Sequence, residues 1–335
     1  MNHRVLFRVD GSSEIGLGHL TRCLALSDII SNLFEISFVI RKEYSGLLSP
    51  LINKRYNIIE LESPFRFSSG EARSFSLLIN QSDIVVLDGY FFDTEYQQIL
   101  KEKKCRLVCI DDMHSIKFVS DAVINHSNSA DENDYHISDN TKLYLGFDYL
   151  LLRREFLMEI EKPRILPENK TIFICFGGAD PNNLTLKSAR AVFNTGYFDE
   201  IKIVIGKAYL FQKELNEYIK GKNIKILSGL SASAMCEEMH SSRMALVPSS
   251  TVALEVFCIG LNTVLGYYVD NQKEFLNYAH EKRLGYSVGS FLDISEKELS
   301  DAIMNNVDNN SYKVQKEMIS GNPEKNLIKI FTDLI

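Results

Sequence analysis

The run Val5-Leu6-Phe7-Arg8-Val9 leads into Asp10-Gly11-Ser12-Ser13-Glu14-Ile15-Gly16-Leu17-Gly18-His19 and then into a helical pattern that carries Arg22. A short apolar run that ends in a glycine loop and opens a helix is the strand–loop–helix unit of an α/β protein. Free backbone N–H groups and the helix dipole both point at such a loop, which suits it to an anion. His19 at the loop mouth adds something a phosphate cradle does not need, a group that titrates near neutral pH. The stretch therefore predicts a diphosphate or sugar site with a proton-transfer residue beside it.

Outward from this unit, the same grammar repeats. Strands are expected at 4–9, 35–40, 57–61, 83–88, 106–110 and 121–124, with helices at 19–31, 71–81 and 93–103. The polar, turn-rich stretch 127–142 reads as an exposed loop, and Lys162-Pro163 to Lys170 reads as a linker. A strand at 171–176 then runs into Gly177-Gly178-Ala179-Asp180 and a helix at 183–195. Strands at 201–205, 223–227, 243–247 and 262–266 follow, with helices at 208–219, 231–239, 251–259, 271–281, 296–305 and 323–334. The expectation is an α/β protein of two Rossmann-like, doubly wound domains, 1–160 and 165–335. They would face each other across a ligand cleft, with the last helix packing back on the N-terminal domain.

Composition narrows the function classes. A net charge of −7 with no basic, aromatic-interleaved stripe argues against nucleic acid as a partner. The six cysteines show no CxxC spacing and fall in apolar segments, as buried thiols of a reduced protein do. No apolar run approaches the roughly 20 residues of a membrane span. No signal-peptide pattern precedes the first strand, so a cytoplasmic enzyme without stable membrane insertion, and a monomer, is expected.

Each motif has a structural alternative. Gly16-x-Gly18 fails the dinucleotide fingerprint, because Thr21 stands at the third glycine position and no acidic residue closes the next strand. No P-loop lysine follows either. At a helix start, the dipole would lower the His19 pKa and keep the ring neutral, as a base requires; a structural histidine is the alternative. Arg22 suits phosphate or substrate, or else a surface salt bridge. Asp10, Asp88, Asp111 and Asp112 end strands on the ligand-facing edge of the sheet, where helix capping is the commoner role. Tyr90 can offer a hydroxyl to a cleft or simply pack at an edge. Asp111-Asp112-x-His114 lacks the clustered acids of a metal site, so no metal is expected. Gly177-Gly178, with Asn182, Asn183 and Thr185, forms a second candidate anion cradle. Ser249-Ser250-Thr251 with Glu255 one turn on suits a diphosphate and a ribose diol, or an ordinary N-cap.

Taken together, these residues resemble the UDP-sugar hydrolases of the pseudaminic acid pathway (the PseG type), relatives of the MurG-like GT-B glycosyltransferases. The matching elements are Phe7-Arg8-Val9-Asp10, Ile15-Gly16-Leu17-Gly18-His19 with Arg22, Leu87-Asp88-Gly89-Tyr90, Ile110-Asp111-Asp112 and Tyr149 to Phe156. In the second half they are Cys175-Phe176-Gly177-Gly178-Ala179-Asp180 with Asn183-Leu184-Thr185, Ser250-Thr251 with Glu255, and Asn271-Gln272. The resemblance implies a GT-B fold and hydrolysis of a UDP-linked 2,4-diacetamido-2,4,6-trideoxy hexose, without metal or cofactor. His19 would be the base that activates water, and Tyr90 would touch the sugar or that water. Asp10, Gly16, Gly18 and Arg22 would line the substrate. Gly177, Gly178, Asp180, Asn183, Ser250, Thr251, Glu255, Asn271 and Gln272 would hold it from the second domain. Leu254 departs from the pattern where the family can carry an active-site Asn, as does Pro248-Ser249 in place of a small residue. The alternative on this scaffold is a GT-B glycosyltransferase using a UDP-sugar donor in polysaccharide synthesis. It would need an acceptor groove, often with a basic amphipathic docking patch, which the sequence lacks.

Overall fold

A computed structural model describes residues 3–10, 18–52, 55–63 and 68–335. The chain divides into two compact units, residues 1–154 with 322–335, and residues 155–321.

In the first unit the strands are β1 (Arg4–Val9), β2 (Glu35–Arg41), β3 (Asn57–Leu61), β4 (Ile84–Asp88), β5 (Arg106–Ile110), β6 (Lys117–Phe118), β7 (Ala122–Asn125), β8 (His136–Ile137) and β9 (Lys142–Leu145). Seven of them form one parallel sheet in the order β3-β2-β1-β4-β5-β7-β9, while β6 and β8 pair separately. Helices α1 (Gly18–Ile30), α2 (Lys42–Ile52), α3 (Ser69–Ser76) and α4 (Thr94–Lys101) provide crossovers. The short α5 (Arg154–Leu157) lies at the division between the units. Every residue of β4 is buried, as parallel strands covered on both faces must be.

The second unit repeats the plan. Its strands are β10 (Thr171–Cys175), β11 (Glu200–Ile205), β12 (Ile224–Ser228), β13 (Met244–Pro248), β14 (Asn262–Tyr267) and β15 (Tyr286–Ser290), in the order β12-β11-β10-β13-β14-β15. Helices α6 (Leu184–Asn194), α7 (Gln212–Tyr218), α8 (Ala232–His240), α9 (Thr251–Ile259), α10 (Lys273–Glu281), α11 (Glu296–Met304) and α12 (Ser311–Met318) surround it. The final helix, α13 (Pro323–Thr332), belongs to the first unit and packs on α1. In both sheets the strand order reverses beside the first strand, between β1 and β4 and between β10 and β13. Ligands of doubly wound sheets bind at this switch point.

Three expectations need correction. The division falls at Arg154, not in the 162–170 segment, because residues 155–165 are tied to the second unit. Lys316 Nζ donates to the Glu159 carbonyl at 2.6 Å, and Arg164 donates to the carbonyls of His240 at 2.9 Å and Ser242 at 2.5 Å. The expected loop at 127–142 is an ordered edge: Asp131 caps a 3-10 turn with a reciprocal capping box, and the chain then enters β8 and β9. Elements α2, β15 and α12 were not expected at all. Gly46 and Pro50 interrupt the first, Gly289 the second, and the third is mostly polar.

One charged network sits inside the first unit. Arg8, fully buried on β1, pairs with Asp10 at 2.6 Å and Glu71 at 2.7 Å. Glu71 also accepts from Arg41 at 2.5 Å and from the Tyr96 hydroxyl at 3.2 Å. Removing one partner of a buried pair strands the other charge. Glu71→Ala is therefore expected to destabilise the protein by about 3–5 kcal/mol. Urea unfolding followed by circular dichroism should register this as a lower midpoint with an unchanged slope.

Candidate functional site

The site of the first unit is built where β1, β4 and β5 end. Register sets Val9 beside Asp88, and Asp88 beside Ile110, so Asp10, Asp88 and Asp111-Asp112 emerge on one edge. Helix α1 starts at that edge. Its residues His19, Arg22 and Cys23, spaced i, i+3 and i+4, share one face, and all three are turned onto Asp88. His19 Nδ1 lies 2.7 Å from Asp88 Oδ1. Arg22 donates from Nε to Oδ2 at 2.7 Å and from Nη2 to Oδ1 at 2.6 Å, a bidentate pair. The Cys23 thiol donates to Oδ2 at 3.3 Å. Arg22 also reaches Asp112 Oδ2 through Nη1 at 3.0 Å.

This arrangement selects one form of the imidazole. Arg22 Nη2 stands 3.0 Å from His19 Nδ1, but a guanidinium has no lone pair to offer. If Nδ1 accepted from Arg22, it would face Asp88 Oδ1 as two acceptors at 2.7 Å. The proton therefore sits on Nδ1 and is donated to Asp88, and in the neutral ring Nε2 keeps its lone pair. The ring is 6% exposed, and among the described residues it meets the charged groups Asp88 and Arg22 and the ring of Tyr90, with centroids 4.8 Å apart. A small cavity is lined by Asp10, His19, Asp88, Gly89, Tyr90 and the two phenylalanines that follow.

Charges in the cluster reinforce one another. Burial alone would raise the pKa of Asp88, but Arg22, and after it His19, hold the carboxyl below the usual range. Burial works against the Arg22 cation too, and Asp88 and Asp112 more than offset it. Behind them, burial and then the Arg22 charge push His126 down to about 3.

The residues singled out from the sequence fall into two groups. Asp10, Gly18, His19, Arg22 and Tyr90 come together in the first unit, whereas Gly16 lies outside the described residues. One expectation for this group is corrected. Arg22 is neither a surface ion pair nor a cation presented to phosphate, since Asp88 and Asp112 engage it and it is buried. Asp10 lines the cavity, and both its oxygens are engaged: one pairs with Arg8 and the other accepts from the Arg41 N–H at 3.1 Å. Tyr90 is 48% exposed, and its hydroxyl reaches Asp112 Oδ2 at a long 3.4 Å. Asp88 had capping as its commoner expected role. Its partners are instead side chains of α1, whereas Asp111 does serve the backbone, accepting from the N–H groups of Met113 and His114.

In the second unit, the loops after β10, β13 and β14 gather the other group. Gly177 takes a left-handed φ of 82°, and a Cβ at Gly206 would run into the backbone of Gly178. Asp180 and Asn183 hold this loop rather than present donors. Asp180 accepts from the N–H groups of Leu184 at 2.9 Å and Thr185 at 2.7 Å, and Asn183 bonds Tyr209 and Glu214. Ser250 is the N-cap residue of α9, with no side-chain capping bond. Thr251 opens that helix, and Glu255 is buried one turn on. Gln272 is structural: its amide oxygen accepts from Tyr268 N–H, and its carbonyl from the Ser249 hydroxyl at 2.9 Å. Asn271 is exposed beside it. Sequence reasoning missed Cys23 as a partner of Asp88, and the Arg8–Glu71–Arg41 layer below. The available signal was a set of polar residues on the apolar face of α1, and an arginine inside an otherwise apolar strand.

His126 makes a measurable consequence. Its Nδ1 accepts from the Leu151 N–H at 3.3 Å in the neutral form. An unfolded histidine, with the ordinary value of 6.5, takes up a proton that the folded one refuses until about pH 3. Unfolding therefore binds a proton in that window, and stability falls as the pH drops through it. His126→Gln is expected to flatten the decline of unfolding free energy across this range, as read by urea titrations at a series of pH values.

No protein-family model matches the chain. It is 26% identical over 295 residues to the UDP-2,4-diacetamido-2,4,6-trideoxy-beta-L-altropyranose hydrolase of Campylobacter jejuni, covering 85% of this chain and 98% of that protein. It is 25% identical over 285 residues to an uncharacterized protein of Methanocaldococcus jannaschii, covering 81% of this chain but 57% of that one. The chain thus spans little more than half the length of that relative. The spore coat polysaccharide biosynthesis protein SpsG of Bacillus subtilis is 25% identical over 272 residues, 78% of this chain and 77% of that one. Among solved structures, MurG of Acinetobacter baumannii superposes with a TM-score of 0.67 at 10% identity over 99% of both chains. An O. sativa protein in complex with UDP gives 0.70 at 11% identity, over 99% of this chain and 100% of that one. The resemblance read from the motifs is borne out: the chain is similar over most of its length to a UDP-diacetamido-trideoxy-altropyranose hydrolase, and its two Rossmann-like units have the GT-B fold.

Proposed function

We propose that the chain is an enzyme acting on UDP-sugars, and that it hydrolyses a UDP-linked 2,4-diacetamido-2,4,6-trideoxy hexose to UDP and the free sugar. Such a step would serve nonulosonic acid synthesis for a surface glycan. The observation that carries the reading is the His19–Asp88 pair, which leaves the lone pair of Nε2 as the basic end of a buried, oriented imidazole.

In this mechanism His19 Nε2 takes a proton from water as the water oxygen bonds to the anomeric carbon. The bond from that carbon to the phosphate oxygen breaks, and its electron pair leaves with UDP. Attack from the face opposite the leaving group inverts configuration. Asp88 holds the ring in register and stabilises the imidazolium that forms, while Arg22 keeps Asp88 ionised. UDP leaves readily once donors meet its diphosphate. The second unit would supply them from the Gly177-Gly178 loop and the Ser250-Thr251 start of α9, with Glu255 for the ribose diol. Tyr90, edge-on to His19, would flank the sugar.

His19→Leu is expected to abolish UDP release from the UDP-sugar while calorimetric affinity for UDP survives. Asp88→Asn is expected to lower kcat by about 10²–10⁴-fold, because the imidazole loses its orienting partner. Both are read from initial rates of UDP release. The same assay, run with and without candidate acceptors, separates water from a sugar or lipid as the acceptor. Release that requires an added acceptor would make the protein a glycosyltransferase instead.

A further inference from the structure

Among the described residues, the acidic cluster around His19 has one solvent-shielded oxygen without a hydrogen-bond partner. Asp88 receives four donor contacts, and both oxygens of Asp10 are engaged. Asp111 accepts from two backbone N–H groups and from the Tyr135 hydroxyl, all at Oδ2. Asp112 differs: its Oδ2 meets Arg22 at 3.0 Å and Tyr90 at 3.4 Å, but its Oδ1 is shielded from solvent and has no hydrogen-bond partner among the described residues. A carboxylate has room for about four donors, and this one meets two, both at Oδ2. The side chain as a whole is 26% exposed, so it is not part of the core, and its neighbour Tyr90 lines the cavity beside His19.

We infer that Asp112 is a substrate-contacting residue whose Oδ1 accepts a hydrogen bond from an N–H or O–H carried by the sugar, so that it selects a hexose bearing a donor near the reacting carbon. This rests on the UDP-sugar hydrolase reading and adds a specificity element to it. Tyr90 touches both His19 and Asp112, and on this proposal a sugar whose anomeric carbon faces His19 would turn a neighbouring substituent toward Asp112. The proposal requires the half-exposed Tyr90 side chain to move aside so that the shielded oxygen meets the sugar. A bare methylene there would leave a charged acceptor unmet, and it is this loss that discriminates between substrates. An amide N–H and a hydroxyl both satisfy the geometry.

The test is a two-by-two comparison of kcat/KM for UDP release. Wild type and Asp112→Asn are each given a UDP-sugar with a 2-acetamido group and its 2-deoxy counterpart, with a 2-hydroxy sugar as a further arm. In the wild type, loss of the donor should cost about 10–100-fold. In Asp112→Asn, whose amide N–H opposes the sugar donor, the two sugars should react within about 3-fold of each other. Asp112 also anchors Arg22, and Arg22→Lys controls for that. It should slow both sugars by the same factor, which a purely structural Asp112 would reproduce. A wild type that treats donor-bearing and donor-free sugars alike overturns the inference without recourse to any variant. So does an equal donor effect in wild type and Asp112→Asn. If the wild type releases UDP from none of these sugars, the hydrolase reading fails and the inference falls with it.

Discussion

Asp88 accepts hydrogen bonds from His19, twice from Arg22, and from Cys23, while buried at the end of a central strand. A carboxylate out of contact with water survives ionised only if donors and a cation replace the solvent. Arg22 supplies both at once through its two parallel bonds. With Asp88 held charged and fixed, the His19 ring has one orientation and one tautomer. The position of Asp88 follows from sheet topology, since β4 adjoins β1 where the strand order reverses.

The charged layer beneath this pair extends the same logic. Arg8 and Arg41 converge on Glu71, and Asp10 links Arg8 to the Arg41 backbone. Such a layer is a weak source of net stability but is costly to break, because each group depends on the others for the solvation it has lost. It holds the ends of β1 and β2 together. The two units share a topology yet differ in chemistry at the corresponding edge. The first presents carboxylates and an imidazole, and the second presents glycines, hydroxyls and helix starts. That division suits proton transfer in one and anion binding in the other.

Much of this was legible in the amino-acid order. Alternating strand and helix periods, with a glycine loop opening each half, determined two doubly wound units, because local periodicity and turn chemistry act over a few residues. The helices that escaped notice, α2 and α12, carry Gly46 with Pro50, or a mostly polar surface, and owe their form to packing against neighbours. At the site, His19 and Arg22 stood out by their spacing after the loop, and the strand-end aspartates by their place.

What the sequence alone determined was therefore the local part: which residues sit on one face of α1, and which acids end strands. Only the tertiary structure decided which acid meets which base. His19 and Asp88 are 69 residues apart, and Arg22 and Asp112 are 90 apart, so their contacts depend on parallel register between β1, β4 and β5. The same register sets Asp88 and Asp112 where Arg22 meets them both. A side chain's partner within one turn is a matter of spacing, whereas its partner across a sheet is chosen by which strands pair.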